Sequence, residues 1–407
     1  MIKRHPEDFR VEEILSRDLI PGDLSESGRF ALYRLTKRGL ATDEAVERIA
    51  AKLALSPGRI GFGGLKDKHA LTTQYVTIQF PPRRPPPPLV EGAAWKLELL
   101  GRIARAVSAG DVSGNRFHAT MRGLTRRECG GVTEARRFLS KSASGGRTLL
   151  FVNYYGEQRF GTARHGRGFA ARRLIGGDFE GALELLIAVP DRKDSRDRKE
   201  IKRIVAARWG DWKALANALP ASPERSVVER LARTGGDFRA GFSALPHIVR
   251  QMTIEAYQSW IWNAVARRVI ARECPPPFVE APSRFGNLLF PRAAEVPPGL
   301  ASEVIPLFSR ETALREPWSA AARHVLAEEG TAIENLRVPG LRIPFFGEVP
   351  RALFVEAIEF SLGPLEMDES APGAGRFKRR VRFLLPRGAY GTVLLSALEG
   401  DPQSSLR

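Results

Sequence analysis

Gly61-Phe62-Gly63-Gly64-Leu65-Lys66-Asp67-Lys68-His69-Ala70-Leu71-Thr72-Thr73-Gln74 runs from a glycine turn, through one carboxylate flanked by lysines and a histidine, toward a strand. From Gln74 to Phe80 the residues Val76, Ile78 and Phe80 alternate with Tyr75, Thr77 and Gln79, the period of a half-buried β-strand. Asp67 is therefore expected on the loop that feeds this strand. Lysines within a few ångströms favour the ionised carboxylate, and a charge on a tight turn is more often presented to a ligand than packed away. A solvated turn with local ion pairs of little worth competes with that reading, and the rest of the chain must decide between them. A nucleotide phosphate loop is excluded. Lys66 is followed by Asp rather than Ser or Thr, and it stands where the third glycine of Gly-x-Gly-x-x-Gly belongs. The glycines are read instead as letting backbone approach a substrate closely.

Upstream, Thr42 has the form of a helix N-cap, with Asp43 and Glu44 in the first turn and Val46, Ile49, Ala50 and Leu53 at helical spacing before Pro57-Gly58. Downstream, the proline run from Pro81 to Pro88, broken by Arg83 and Arg84, cannot enter a sheet interior and reads as an extended surface connection. Lys96 to Ile103 and Arg116 to Arg122 read as further strands. Thr125-x-x-Glu128 forms a capping box for a helix with Val132, Ala135, Phe138 and Leu139 on its apolar stripe. Beyond Gly161 the texture turns helical and rich in Arg, Lys and Ala, over Phe179 to Ala188, Lys199 to Arg208, Ser226 to Arg233 and, most strongly, Met252 to Ala271. Strands return at Leu353 to Ser361 and Phe377 to Pro386, and Tyr390 starts a final element. The fold class is α+β, with both ends of the chain sharing one sheet across a long helical insert.

With 407 residues the chain exceeds what one core usually supports, so two domains are expected. Lys plus Arg number 63 against 46 Asp plus Glu, a formal charge of +17 that points to a polyanion, most often nucleic acid. An arginine-biased composition and an anionic membrane surface are the competing accounts; no basic amphipathic helix with a clean aromatic face supports the second. Cys129 and Cys274 lie far apart and the six histidines are scattered, so neither a disulfide framework nor a zinc site is indicated. The charged segment Met1 to Ile14 is unlike a signal peptide, and no stretch has the ~20 apolar residues of a membrane span, which makes the expected location the cytoplasm.

Phe117, following Gly114-Asn115-Arg116, reads by pattern as a core residue and Asn115 as an ordinary turn former. In a basic chain with Asp67, the same pair makes a nucleobase pocket, an exposed aromatic to stack and an amide to hydrogen-bond. Asn153-Tyr154-Tyr155-Gly156-Glu157-Gln158-Arg159-Phe160-Gly161 adds an unusual density of aromatics, amides and a guanidinium. With Lys3-Arg4-His5-Pro6-Glu7-Asp8-Phe9-Arg10-Val11-Glu12-Glu13, these motifs resemble, in order, those of the tRNA pseudouridine synthase D (TruD) family, densely over the first 161 residues and loosely beyond.

That resemblance implies a pseudouridine-synthase catalytic domain built on a mixed, mainly antiparallel sheet flanked by helices, here residues 1–161 and 351–407, interrupted by a mostly helical, RNA-binding domain at 162–350. It implies the isomerisation of a tRNA uridine to pseudouridine, typically at position 13 in the D stem, with no metal, organic cofactor or obligatory protein partner. By motif match Asp67 is the catalytic aspartate, Phe117 stacks on the base, Asn115 is a polar pocket residue, Phe9 builds the pocket wall and Lys3 is the basic partner of Asp67. Lys3 depends on Phe9 and Val11 to anchor the chain there. Lys66, Lys68, His69 and Arg159 are the expected RNA contacts. The same chemistry on another RNA, and a binding protein that keeps the fold without catalysis, are the alternatives.

Overall fold

The computed structural model describes residues 4–16, 19, 28–142, 146–371, 373 and 375–400. Its organising element is a strand near the start of the chain. β1 (Phe9–Leu15) alternates buried and outward residues and lies between strands distant in sequence. The others from the first part of the chain are β2 (Phe30–Arg38), β3 (Ile60–Phe62), β4 (Leu71–Ile78), β5 (Leu89–Gly92), β6 (Trp95–Ile103), β7 (Val112–Leu124) and β8 (Leu149–Val152). Two ribbons follow within the helical region, β9 (Phe278–Ala281) with β10 (Leu288–Pro291), and β11 (Val304–Pro306) with β12 (Pro350–Ala352). β13 (Phe354–Leu362), β14 (Glu366–Met367) and β15 (Phe377–Pro386) then return to the main sheet.

That sheet has eleven strands in the order β5-β6-β2-β4-β1-β7-β15-β13-β8, with β3 paired to β4 and β14 to β15. The β1–β4 pairing is parallel and the others are antiparallel, so the sheet is mixed and mainly antiparallel, as expected. β7 is flanked by β1 and β15, and the register puts Val11, Phe117 and Phe383 side by side across the three strands. The two ends of the chain therefore meet in one sheet.

Different helices cover the two halves of the sheet. The helix Thr42–Lys52 turns Ala45, Val46, Ile49 and Ala50 onto a cluster with Tyr33, Leu35, Val76, Ile78 and Leu97. A second core joins β7, β8, β13 and β15 to the helices Arg126–Phe138 and Gly391–Glu399 and continues without a break into the helical region. There the helix His247–Glu273 is buried along Ile254, Tyr257, Ile261, Trp262 and Val265, and the indole of Trp262 donates to the Ile305 carbonyl at 2.9 Å. The Thr125 capping box forms as read, its hydroxyl accepting the Glu128 N–H while the Glu128 carboxylate accepts the Thr125 N–H.

Three local expectations change. Thr42 does not cap its helix: Ala41 holds the N-cap position, and the Thr42 hydroxyl is occupied by contacts across to the Asp67 turn and to Gln74. β4 is half-buried as its alternation predicts, except that Thr77 on the outward face is also buried, its hydroxyl accepting the Val107 N–H at 3.0 Å. The segment Phe179 to Ala188 divides into an α-helix, Phe179–Leu183, and a π-turn, Glu184–Ala188.

The entry to β1 is locked electrostatically. Arg122 on β7, with a side chain 12% exposed, meets Asp8 at 2.7 Å and Asp368 at 2.9 Å, and both carboxylates are buried. Burial alone would raise the Asp368 pKa, but hydrogen bonds from Ser370, from the Gly123 N–H and from Arg122 outweigh it and hold the carboxyl below the usual range. A depressed folded-state pKa gives stability that is full above the unfolded value of ~3.9 and drains away as pH falls through the folded value. Replacing Arg122 by Ala leaves two buried carboxylates uncompensated and should cost about 3–5 kcal/mol in a denaturant titration at pH 7. It should also flatten the loss of stability below about pH 4, measured by thermal melts across an acid series.

Candidate active site

Asp67 lies on the turn between β3 and β4, and that turn is fastened at several points. Thr42 Oγ1 accepts the Lys66 N–H at 2.9 Å, and Gln74 Nε2 donates to the Gly64 carbonyl at 3.4 Å. Lys66 Nζ stands 2.6 Å from Glu13 Oε1, and Glu13, buried on β1, also accepts the Tyr75 N–H at 3.0 Å. Beneath the turn, Lys37 is 1% exposed and donates to the carbonyls of Leu40 at 2.6 Å, Asp67 at 3.2 Å and Lys66 at 3.4 Å. Burial pulls the Lys37 pKa down to about 8, with the Asp67 charge opposing the shift.

The carboxylate itself is held by a residue distant in the chain. Gln158 Nε2 donates to Asp67 Oδ2 at 3.3 Å, while Gln158 Oε1 accepts the hydroxyl of Thr392, at the start of the last helix, at 3.2 Å. Asp67 thereby forms one wall of a pocket of about 370 Å³, with Phe9, Val11, Asn115, Phe117 and Tyr390 among the others. A larger groove of about 970 Å³ lies in the helical region around Arg337 to Glu348 and shares no residue with this pocket.

Five of the residues expected at the site thus converge: Asp67, Phe9, Asn115, Phe117 and Lys66. Phe9 is buried on β1 at 2% exposure; Lys3 lies outside the described residues. Phe117 is the core residue that its pattern suggested rather than the exposed aromatic of the pocket reading, although it lines the pocket. It is 6% exposed, stacked on Phe383 at 5.1 Å and 5.8 Å from Phe9, and Gly391 packs so closely that a Cβ there would come within 2.8 Å of the ring. Asn115 stands beside it on β7 with its side-chain oxygen buried and without a hydrogen-bond partner among the described residues. A buried acceptor left unpaired in a pocket is costly unless a ligand completes it. Gly64 opens onto the pocket with space for an approaching substrate, whereas Gly63 is there for packing, since a Cβ would collide with Val112.

The expected RNA contacts separate. Lys68 pairs with Glu44 at the surface, and His69 is exposed beside it. The charge of Lys66 is directed to buried Glu13. Arg159 is turned onto the helix His247–Glu273, 2.9 Å from Glu255 and 3.1 Å from the Ser259 hydroxyl. The motif Asn153 to Gly161 is a structural hub, with Tyr154 and Phe160 fully buried. Arg351, next to β13, donates to the backbone and side-chain oxygens of Asn153, each at 2.8 Å, and to the Gly388 carbonyl at 3.1 Å, with its guanidinium 3.9 Å from the Tyr155 ring.

Sequence reasoning did not assign Lys37, Gln158, Arg387, Tyr390 or Thr392 to the site. Gln158 lies inside a motif already singled out and could have been suspected from it. Lys37 reads as an ordinary strand lysine, and nothing local signals its burial. Among the described residues no cluster of His, Cys, Asp and Glu could hold a metal ion, and no helix is long and apolar enough to cross a membrane.

Known proteins with the same organisation can be set beside this geometry. The tRNA pseudouridine synthase D (TruD) family model matches residues 1–278. The tRNA pseudouridine synthase D of Aquifex aeolicus (strain VF5) is 30% identical over 98% of this chain and 97% of its own length. The probable tRNA pseudouridine synthase D 2 of Methanocaldococcus jannaschii is 28% identical over 97% of this chain and 90% of its own. In structure, the chain superposes on the crystal structure of the putative TruD of Methanosarcina mazei with a TM-score of 0.66 and 24% identity, covering 98% of this chain and 94% of that one, which is a likeness of fold. Matched by the family model over well more than half its length and by a relative along nearly all of it, the chain belongs to the tRNA pseudouridine synthase D (TruD) family.

Proposed function

We propose that the protein isomerises a uridine of tRNA, position 13 in the D stem, to pseudouridine, that Asp67 is its catalytic residue, and that it works in the cytoplasm. The observation that carries this reading is Asp67, fixed by Gln158 on the wall of a pocket whose other walls hold Phe117 and the unpartnered oxygen of Asn115. Uracil offers one N–H between two carbonyl oxygens, and a carboxamide supplies both the acceptor and the donor for such an edge. Phe9 and Phe117 give the apolar wall against which a detached base can be held.

The reaction breaks the bond from C1' to N1, turns the uracil and joins C1' to C5; the C5 proton leaves and N1 gains one. Atoms and electrons balance without redox change, so the protein's own groups suffice. A stem uridine must first leave the helix at a cost of a few kcal/mol, offset by contact with the pocket. Asp67 then adds to C1' or C6, or removes the proton from C2'; each route needs the anion. The helical residues 162–350 are the RNA-binding domain of this scheme, and the +17 charge supplies sequence-independent attraction to phosphate.

Asp67→Asn should bind tRNA with nearly wild-type affinity, since affinity is spread over many phosphate contacts, yet form no pseudouridine; a filter-binding assay paired with site-resolved pseudouridine mapping reads both. Gln158→Ala removes one hydrogen bond that orients the carboxylate and should lower kcat by about tenfold to a hundredfold with little change in KM, measured by tritium release from C5-labelled tRNA.

Lys37 titrates near pH 8 in the folded protein and near ~10.4 unfolded. The unfolded chain then holds more protons between those values, so this group makes the fold more stable as pH rises through them. Loss of the ammonium weakens its grip on the Asp67 turn. Activity should therefore decline above about pH 8 while the melting temperature over the same range shows no parallel fall from this group, checked by initial rates and thermal melts in matched buffers.

A further inference from the structure

The most exposed large hydrophobic side chain among the described residues is Leu65, at 66%. It stands on the rim of the Asp67 pocket, two residues before the carboxylate. A single exposed leucine is ordinary on a protein surface. Here, however, every neighbouring group is fastened: the Gly64 carbonyl by Gln74, the Lys66 N–H by Thr42, the Lys66 ammonium by Glu13, and the Lys66 and Asp67 carbonyls by Lys37. The backbone is braced while the apolar side chain is left in water. Its surroundings are polar and basic, with exposed Arg387 lining the same pocket and Lys68, paired with Glu44, exposed on the same turn. An apolar tip in a basic rim suits the stacked interior of a nucleic-acid helix better than a protein partner.

We infer that Leu65 is a wedge, a positioning residue that enters the gap left in the RNA stem when the target uridine swings into the pocket. The inference rests on the reading of the protein as a synthase acting on a stem uridine. Extruding a base leaves its two stacking neighbours facing a void, and the base returns unless something fills it. Leu65 fills it with apolar surface that is already ordered, so insertion costs little conformational freedom. Because the wedge and the carboxylate share one braced turn, the same rigid movement that opens the stem brings Asp67 to the sugar.

The test compares kcat/KM for pseudouridine formation by the wild type, Leu65→Ala and Leu65→Met on two tRNA transcripts. In one the target uridine is paired; in the other its partner is changed so that the uridine is mismatched and leaves the stem more easily. Leu65→Ala should lose about tenfold or more on the paired transcript and less than about threefold on the mismatched one, and Leu65→Met should stay near wild type on both. An equal deficit on the two transcripts, no deficit on the paired one, or a wild-type enzyme inactive on the mismatched one overturns the wedge. Failure of the wild type on the paired transcript would instead overturn the synthase reading itself.

Discussion

A buried ammonium organises the site. Lys37 leaves water to bind the carbonyls of Leu40, Lys66 and Asp67, joining the end of β2, the start of the following helix and the turn before β4 in one contact. Desolvating a cation is expensive, and the downward pull on its pKa measures that cost. What the cost secures is a turn whose carbonyls are bound from beneath and whose carboxylate lies within reach of Gln158. Without that clamp the turn would keep its fastenings to Thr42, Gln74 and Glu13 but lose the ammonium that binds the carbonyls of Lys66 and Asp67.

The site is assembled from parts that are far apart in the chain. β1 supplies Phe9 and Val11, the turn before β4 supplies Asp67, β7 supplies Asn115 and Phe117, the segment after β8 supplies Gln158, and the approach to the last helix supplies Tyr390 and Thr392. The parallel pairing of β1 with β4 and the antiparallel pairing of β1 with β7 bring the first three together on one edge of the sheet's centre. Arg351 draws in the rest by tying Asn153 to Gly388. Packing and hydrogen bonds of ordinary strength are enough, because each element is already fixed by its place in the sheet.

Much of this was legible in the residues. β15 begins and ends where its alternation predicts, and the Thr125-x-x-Glu128 box starts its helix, because both signals are local. The pocket residues Asp67, Asn115 and Phe117 were legible through motif resemblance rather than pattern. The remainder depended on tertiary contacts no single segment encodes. Thr42 looked like a cap because its hydroxyl had no visible competitor, yet Lys66 outbids its own helix for it. Alternation marked Phe117 as a core residue, but the stacking of Phe383 and the close approach of Gly391 that bury it come from residues over two hundred and fifty positions away. Lys66 and Arg159 looked like phosphate ligands because the carboxylates that neutralise them, Glu13 and Glu255, lie on other elements.

The position of β7 also bears on how the molecule is made. Its partner on one side, β1, precedes it on the ribosome, but its partner on the other side, β15, ends at Pro386. At about 5–20 residues per second that flank waits on the order of ten to fifty seconds for its mate. Throughout synthesis of the helical region the nascent sheet carries an open border of unpaired amides, the kind of surface that recruits chaperones or other chains. The Asp67 pocket, which takes Phe117 from β7 and Arg387 to Thr392 from the chain after β15, is complete only when that border closes.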